Sequence, residues 1–223
     1  MSAELTFRGV SYPGFFEGFS CELPSGSSTL IVTSREAESV LLSQLITGLS
    51  LPSHGCVLVD NQEIATFTPE QLYGLRQQIG IVPSHGGLIS NLKVWENITL
   101  PLLYHAGVVT PEDEQTAQTY LTTLGYSGNV MGLPAHLSLH EKRIIALVRA
   151  LLTRPRMIVY CNCFEGVPST QHSLFSRLAI EFHTTRDDRI SLYLAASADM
   201  AVELSVDRVI HVHETTEAAS RNI

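Results

Sequence analysis

Apolar residues along this chain keep two different rhythms, and the order in which those rhythms alternate predicts the fold. From Glu4 to Val10 apolar and polar positions alternate, Gly26 marks a turn, and Ser28 to Val32 forms a compact β-rich run. A helix is expected from about Arg35 to Leu49, with Val40, Leu41, Leu45 and Leu49 on one face. Ser53-His54-Gly55 turns the chain into a strand from Cys56 to Asp60. Thr68, Pro69 and Gln71 together read as a capped helix start, and Ile79 to Val82 as a further strand.

The middle of the chain changes to helical spacing. Leu92 to His105 has a helical pattern that Pro101 is expected to break or kink. Thr110 opens a helix whose apolar face carries Ala117, Tyr120, Leu121 and Leu124, and Ser138 opens another that reaches about Thr153. Alternation of strand and helix then resumes. Met157 to Cys163 is a continuous apolar run, as in a strand covered on both faces. Leu174, Leu178 and Phe182 stripe a helix, Ser191 to Ala196 and Arg208 to Val212 read as strands, and the tail after Glu214 as loose. The predicted class is α/β: a parallel sheet core formed by residues 1–87 and 153–223, with a helical subdomain inserted at 88–152.

Composition narrows the functional classes. The 223 residues are 44% hydrophobic and 16% charged, as in an ordered globular protein. Fourteen Lys and Arg stand against 22 Asp and Glu, a net charge of -8, which argues against a nucleic-acid partner. Neither a signal region nor an apolar run long enough to span a membrane is present, so a cytoplasmic location is expected. Four cysteines lack the density of a disulfide scaffold, and Cys161 and Cys163 suit a buried strand better than a metal centre. His211 and His213 share a face of the last strand, where a solvated edge accounts for them. No metal site and no Gly-x-Ser-x-Gly nucleophile turn is found.

Several stretches together resemble the nucleotide-binding subunits of ABC transporters. Ile79-Gly80-Ile81-Val82-Pro83-Ser84 followed by Leu92 to Leu102 is similar to that family's Q-loop and the segment leading into its helical subdomain. Leu137-Ser138, Arg143 to Leu151, Arg154-Pro155 and Asp207-Arg208-Val209 follow in the family's order. The resemblance implies a P-loop-type ABC ATPase core, with ATP and Mg as the family's ligands.

The positions that carry the family's chemistry differ. Where a phosphate-cradling glycine loop and lysine are implied, this chain has Thr33, Ser34, Arg35, Glu36, Ala37, Glu38 and Ser39, with Glu38 in the lysine's place. The Q-loop glutamine is Ser84, and the signature reads Leu137, Ser138, Leu139, His140, Glu141. The magnesium-ordering Asp is Cys161, the general-base Glu is Asn162, the switch His is Ala198, and Pro168 stands at the D-loop Asp. Tyr12 is either the aromatic that stacks on adenine or an ordinary strand-end residue.

The expectation is a pseudo-ATPase with no bound cofactor and no catalytic residues. Thr33 and Glu36 are expected to form a capping box, as are Ser138 and Glu141, so that side chains fill the place of nucleotide. The implied partners are a membrane permease and an active ATPase subunit or a second copy, on the inner face of the cell membrane. A lipid or lipoprotein trafficking system is the leaning of Asn91 to Leu103. Two alternatives remain: a soluble regulatory or dimerisation module, and a weak ATP binder completed by an active partner.

Overall fold

The computed structural model describes residues 4–167 and 169–213. The tail after Glu214 and Pro168 lie outside the described residues. The described residues form nine strands, in two sheets, and six α-helices. Strands β1 (Leu5–Tyr12), β2 (Phe16–Leu23), β4 (His54–Val59) and β5 (Gln62–Glu63) make an antiparallel sheet in the order β2-β1-β4-β5. Strands β6 (Ile79–Val82), β7 (Met157–Cys161), β8 (Ile190–Ala195), β3 (Ser28–Val32) and β9 (Arg208–His211) make a parallel sheet in that order.

The parallel sheet is the spine, and its two faces meet two different cores. Ile31, Val159, Leu192 and Leu194 face the antiparallel sheet and helix α1 (Glu36–Ile46). Leu30, Tyr160 and Tyr193 face the other way, toward α5 (Leu139–Leu152) and α6 (Ser169–Thr184). Every residue of β7 and β8 is buried, which explains the unbroken apolar runs. Each fully buried Leu or Ile here contributes about 1.5–3 kcal/mol by leaving water.

Helices α3 (Val94–Ala106), α4 (Pro111–Thr123) and α5 stand together between β6 and β7 in sequence, with α3 and α4 both packed on α5. Helix α2 (Pro69–Gln77) precedes β6 and has the capping box expected of Thr68 and Gln71. Thr110 and Ser138 likewise cap α4 and α5 through Asp113 and Glu141.

Three expectations need correction. Helix α3 runs through Pro101 without a break. Packing decides this: Val94 and Ile98 are wholly buried, and the Asn97 amide donates to the carbonyls of Ile89, Leu92 and Lys93 at 3.0–3.1 Å. Helix α1 ends at Ile46 and buries Leu41, Leu42, Leu45 and Ile46, while Val40 and Leu49 are exposed. It lies between two sheets, so its buried face is wider than a single stripe. Finally, the N-cap of α1 is Arg35, with no side-chain cap bond, so the Thr33–Glu36 capping box does not form.

Candidate functional site

In a parallel sheet every strand delivers its carboxyl end to the same edge, and ligands of such sheets bind there. Here Val32, Cys161 and Ala195 end β3, β7 and β8 at that edge, directly before α1 begins. Thr33 N–H donates to the Ala195 carbonyl at 2.9 Å, and the Thr33 and Ser39 hydroxyls pair at 3.0 Å in a buried position. A helix start at this place exposes N–H groups that suit an anion.

The anion is supplied from within. Glu38, at the third position of α1, turns its carboxylate back over the loop and accepts the Ser34 N–H at 2.8 Å. Its other oxygen accepts from Arg35 Nε at 3.2 Å and Nη2 at 3.1 Å, and His213 Nε2 lies 3.2 Å away. The Glu38 side chain is 1% exposed. Burial pushes its carboxyl up, yet the Ser34 N–H, Arg35 and His213 more than offset this and hold it below the ordinary glutamate range.

Arg35 extends the closure outward. Its Nη2 donates to the Gly14 carbonyl at 2.6 Å, and its guanidinium lies 5.2 Å over the Phe15 ring. Phe15 in turn meets Tyr12 edge-on at 5.6 Å, so Tyr12 is part of an aromatic turn tied to the loop. A cavity of about 330 Å³ remains beside this turn, bounded by Gly14, Phe15, Glu17 and His213.

The opposite wall is a second network. Ser84 Oγ donates to Glu36, and the backbone carbonyl of Ser84 accepts from Arg143 Nε. Arg143 Nη1 continues to the Glu165 carbonyl. One Glu165 carboxylate oxygen accepts from Asn162 Nδ2 at 2.8 Å and from the Ala196 N–H at 2.9 Å. Asn162 adopts a left-handed backbone, φ 47°, which Asn tolerates better than most residues, and its N–H donates to the Leu194 carbonyl at 2.8 Å. Beside it, burial pushes the Cys161 thiol up to about 12.

The structure therefore brings together Thr33 to Ser39, Ser84, Cys161 and Asn162 at one edge of the sheet. Leu137 to Glu141 stands apart: among the described residues, no hydrogen bond or ion pair joins it to the loop. There Ser138 caps α5, Leu139 is 51% exposed, and burial followed by Arg143 lowers the His140 imidazole. Ala198 begins a short 3-10 turn capped by Ser197. Sequence reasoning missed Arg143, Glu165 and His213. The last was taken as a solvated edge residue, and β9 is indeed the sheet edge, but the chain just beyond it brings His213 back to Glu38. Among the described residues no cluster of His, Cys, Asp and Glu is suited to hold a metal.

The family model described as ABC transporter matches residues 38–163, more than half of the chain. The chain belongs to the ABC transporter family. Among its relatives, the methionine import ATP-binding protein MetN 1 of Pseudomonas putida is 29% identical over 181 residues, 81% of this chain and 53% of that protein. The intermembrane phospholipid transport system ATP-binding protein MlaF of Escherichia coli is 27% identical over 169 residues, 76% of this chain and 63% of that protein. The chain thus spans about half to under two thirds of the length of these relatives. A bacterial ABC transporter cassette solved as a dimer superposes with a TM-score of 0.79 over 94% of both chains at 20% identity. The cbiO1 subunit of a Clostridium perfringens ABC transporter complex gives 0.73 at 21% identity, over 96% of this chain and 86% of that one. These likenesses confirm the ABC ATPase fold expected from the sequence.

Proposed function

We propose that this chain is a non-hydrolysing cassette of a membrane transport complex, holding the place of a nucleotide-binding subunit without itself turning over ATP. One observation carries the reading: the Glu38 carboxylate turns back over the loop before α1 and takes up the Ser34 N–H, in the place where, on this reading, a nucleotide phosphate would bind. A phosphate charge 4 Å from that carboxylate would be opposed by about 4 kcal/mol at an effective dielectric near 20. Cys161 and Asn162 supply neither a magnesium-ordering carboxylate nor a general base, which removes two requirements of metal-assisted hydrolysis.

The assignment of Thr33 to Ser39, Leu137 to Glu141, Ser84 and Ala198 as lost ATP-site positions belongs to this proposal, as does the division into a core and a helical subdomain at 88–152. The relatives are named as ATP-binding proteins of import and intermembrane phospholipid transport systems. By analogy this chain would sit on the inner face of a membrane against a permease, beside a second cassette. No helix among the described residues is long and apolar enough to cross a membrane itself. Exposed Tyr73 on α2 and Leu103 and Tyr104 on α3, with the Tyr73 and Tyr104 rings 6.0 Å apart and Tyr73 hydrogen-bonded to His105 at 3.2 Å, form an apolar patch suited to such docking.

Titration calorimetry of the purified chain with ATP and Mg is the direct test. No binding heat at millimolar ATP is expected. Micromolar affinity would overturn the proposal.

A further inference from the structure

The segment between β6 and α3 is held against α5 with unusual completeness. The carbonyl of Ser84 accepts from Arg143, and those of Gly86 and Gly87 accept from Arg149 at 3.1 and 2.9 Å. Gly86 has φ +81°, and a Cβ there would fall 2.6 Å from the Lys142 carbonyl oxygen, so only glycine lets the two segments approach this closely. The loop is thereby fixed as a wall. Between it, the residues preceding α5 and the first turn of α5 lies a cavity of about 410 Å³, within the range of small-molecule sites.

The lining of this cavity is chemically one-sided. Leu88, Pro134, Ala135 and Leu139 give it an apolar body, and His85, Ser90 and Lys142 give it its polar side chains. The side chain of Lys142, one of two lysines in the sequence, has no hydrogen-bond or ion-pair partner among the described residues. The wall's own carbonyls are already taken by Arg143 and Arg149. The polar side chains of the lining are therefore the His85 imidazole, the Ser90 hydroxyl and the Lys142 ammonium, and the permanent charge among them is positive, in a chain whose net charge is -8. A guest that brings acceptor oxygens and negative charge on an apolar frame complements this lining.

We propose that this cavity binds a small amphipathic anion, a carboxylate or sulfonate with a compact apolar body, whose head pairs with Lys142 and His85. The cavity is lined by residues other than those of the Glu38 loop, so its occupancy is read separately from nucleotide binding.

The test titrates the full chain with anilinonaphthalene sulfonate, followed by displacement with octanoate, octanol and acetate. Saturable fluorescence and displacement by octanoate are expected, with acetate inert because it lacks the body. Octanol is expected to compete less well by roughly tenfold, the scale of one charge-assisted contact. Lys142→Glu should weaken both sulfonate and octanoate by at least about tenfold and Lys142→Arg should restore them. Ala135→Trp should fill the cavity and abolish binding. Near-UV circular dichroism confirms that each variant keeps its packing, and the partner-free Lys142 side chain makes that outcome expected. Octanol competing as well as octanoate, undiminished binding in folded Lys142→Glu, or fluorescence that never saturates would each overturn the proposal.

Discussion

Glu38 reaches back across the first turn of α1 to accept the Ser34 N–H at 2.8 Å, closing the loop that precedes its own helix. The usual N-cap arrangement is inverted: a residue inside the helix satisfies a donor outside it. Arg35 and His213 complete the ring around the carboxylate.

Glu38→Gln keeps the shape and removes the charge, so it separates the two. A carboxyl held below its ordinary range contributes stability above its unfolded pKa and loses it as pH falls through the folded value. The gap between wild type and Glu38→Gln should therefore be widest at neutral pH and close in acid. Its neutral value is expected near 2 kcal/mol, the scale of hydrogen bonds to a charged group discounted for the exposure of Arg35 and His213. Urea unfolding at a series of pH values measures this. A gap that stays constant with pH would show that the charge is irrelevant.

Arg143→Lys tests the opposite wall. Guanidinium geometry allows one buried side chain to serve Ser84 and Glu165 at once, and an ammonium does not reproduce that fork. The variant should lose about 2 kcal/mol in urea unfolding, with faster hydrogen exchange in the segment from Ser84 to Gly87. Unchanged exchange there would remove Arg143 as its anchor.

Gly86→Ala joins two penalties, a left-handed backbone and a Cβ pressed on the α5 backbone. Destabilisation by more than about 1 kcal/mol is expected. Gly107→Ala provides the comparison, since its φ is also positive but nothing lies within 4 Å. A smaller loss at 86 than at 107 would contradict the close approach.

Tyr104→Asp addresses docking. The side chain is 70% exposed, so the thermal midpoint should shift little, while recovery of a membrane partner in a pull-down should fall. Equal recovery from both proteins would sink the docking surface.

Much of this arrangement was legible beforehand, and the failures have physical causes. Strands β6 and β7 and the caps at Thr68, Thr110 and Ser138 follow from local pattern, because each is decided by residues within a few positions of one another. The path of α3 through Pro101 is decided by Asn97 and by packing on α5, which local spacing does not carry. At the loop, the Thr33-x-x-Glu36 pattern pointed to one carboxylate, while Glu38 won because Arg35 and the distant His213 both meet it. Arg143 stood out in the sequence only as the start of the family-like stretch Arg143 to Leu151, and Glu165 did not stand out at all. Their roles depend on Ser84 and Ala196, which lie 59 and 31 positions away.

The filled helix start has one more consequence. Most proteins that cradle an anion gain stability from it by mass action, as RT ln(1 + [L]/Kd), so that their folded population follows the supply of that molecule. On the function proposed above, a chain that carries its own carboxylate on Ser34 would have no such term at this position. Its melting temperature should stay flat as nucleotide concentration is raised, which would make it a fixed part among neighbours whose stability rises and falls with the cell's energy charge.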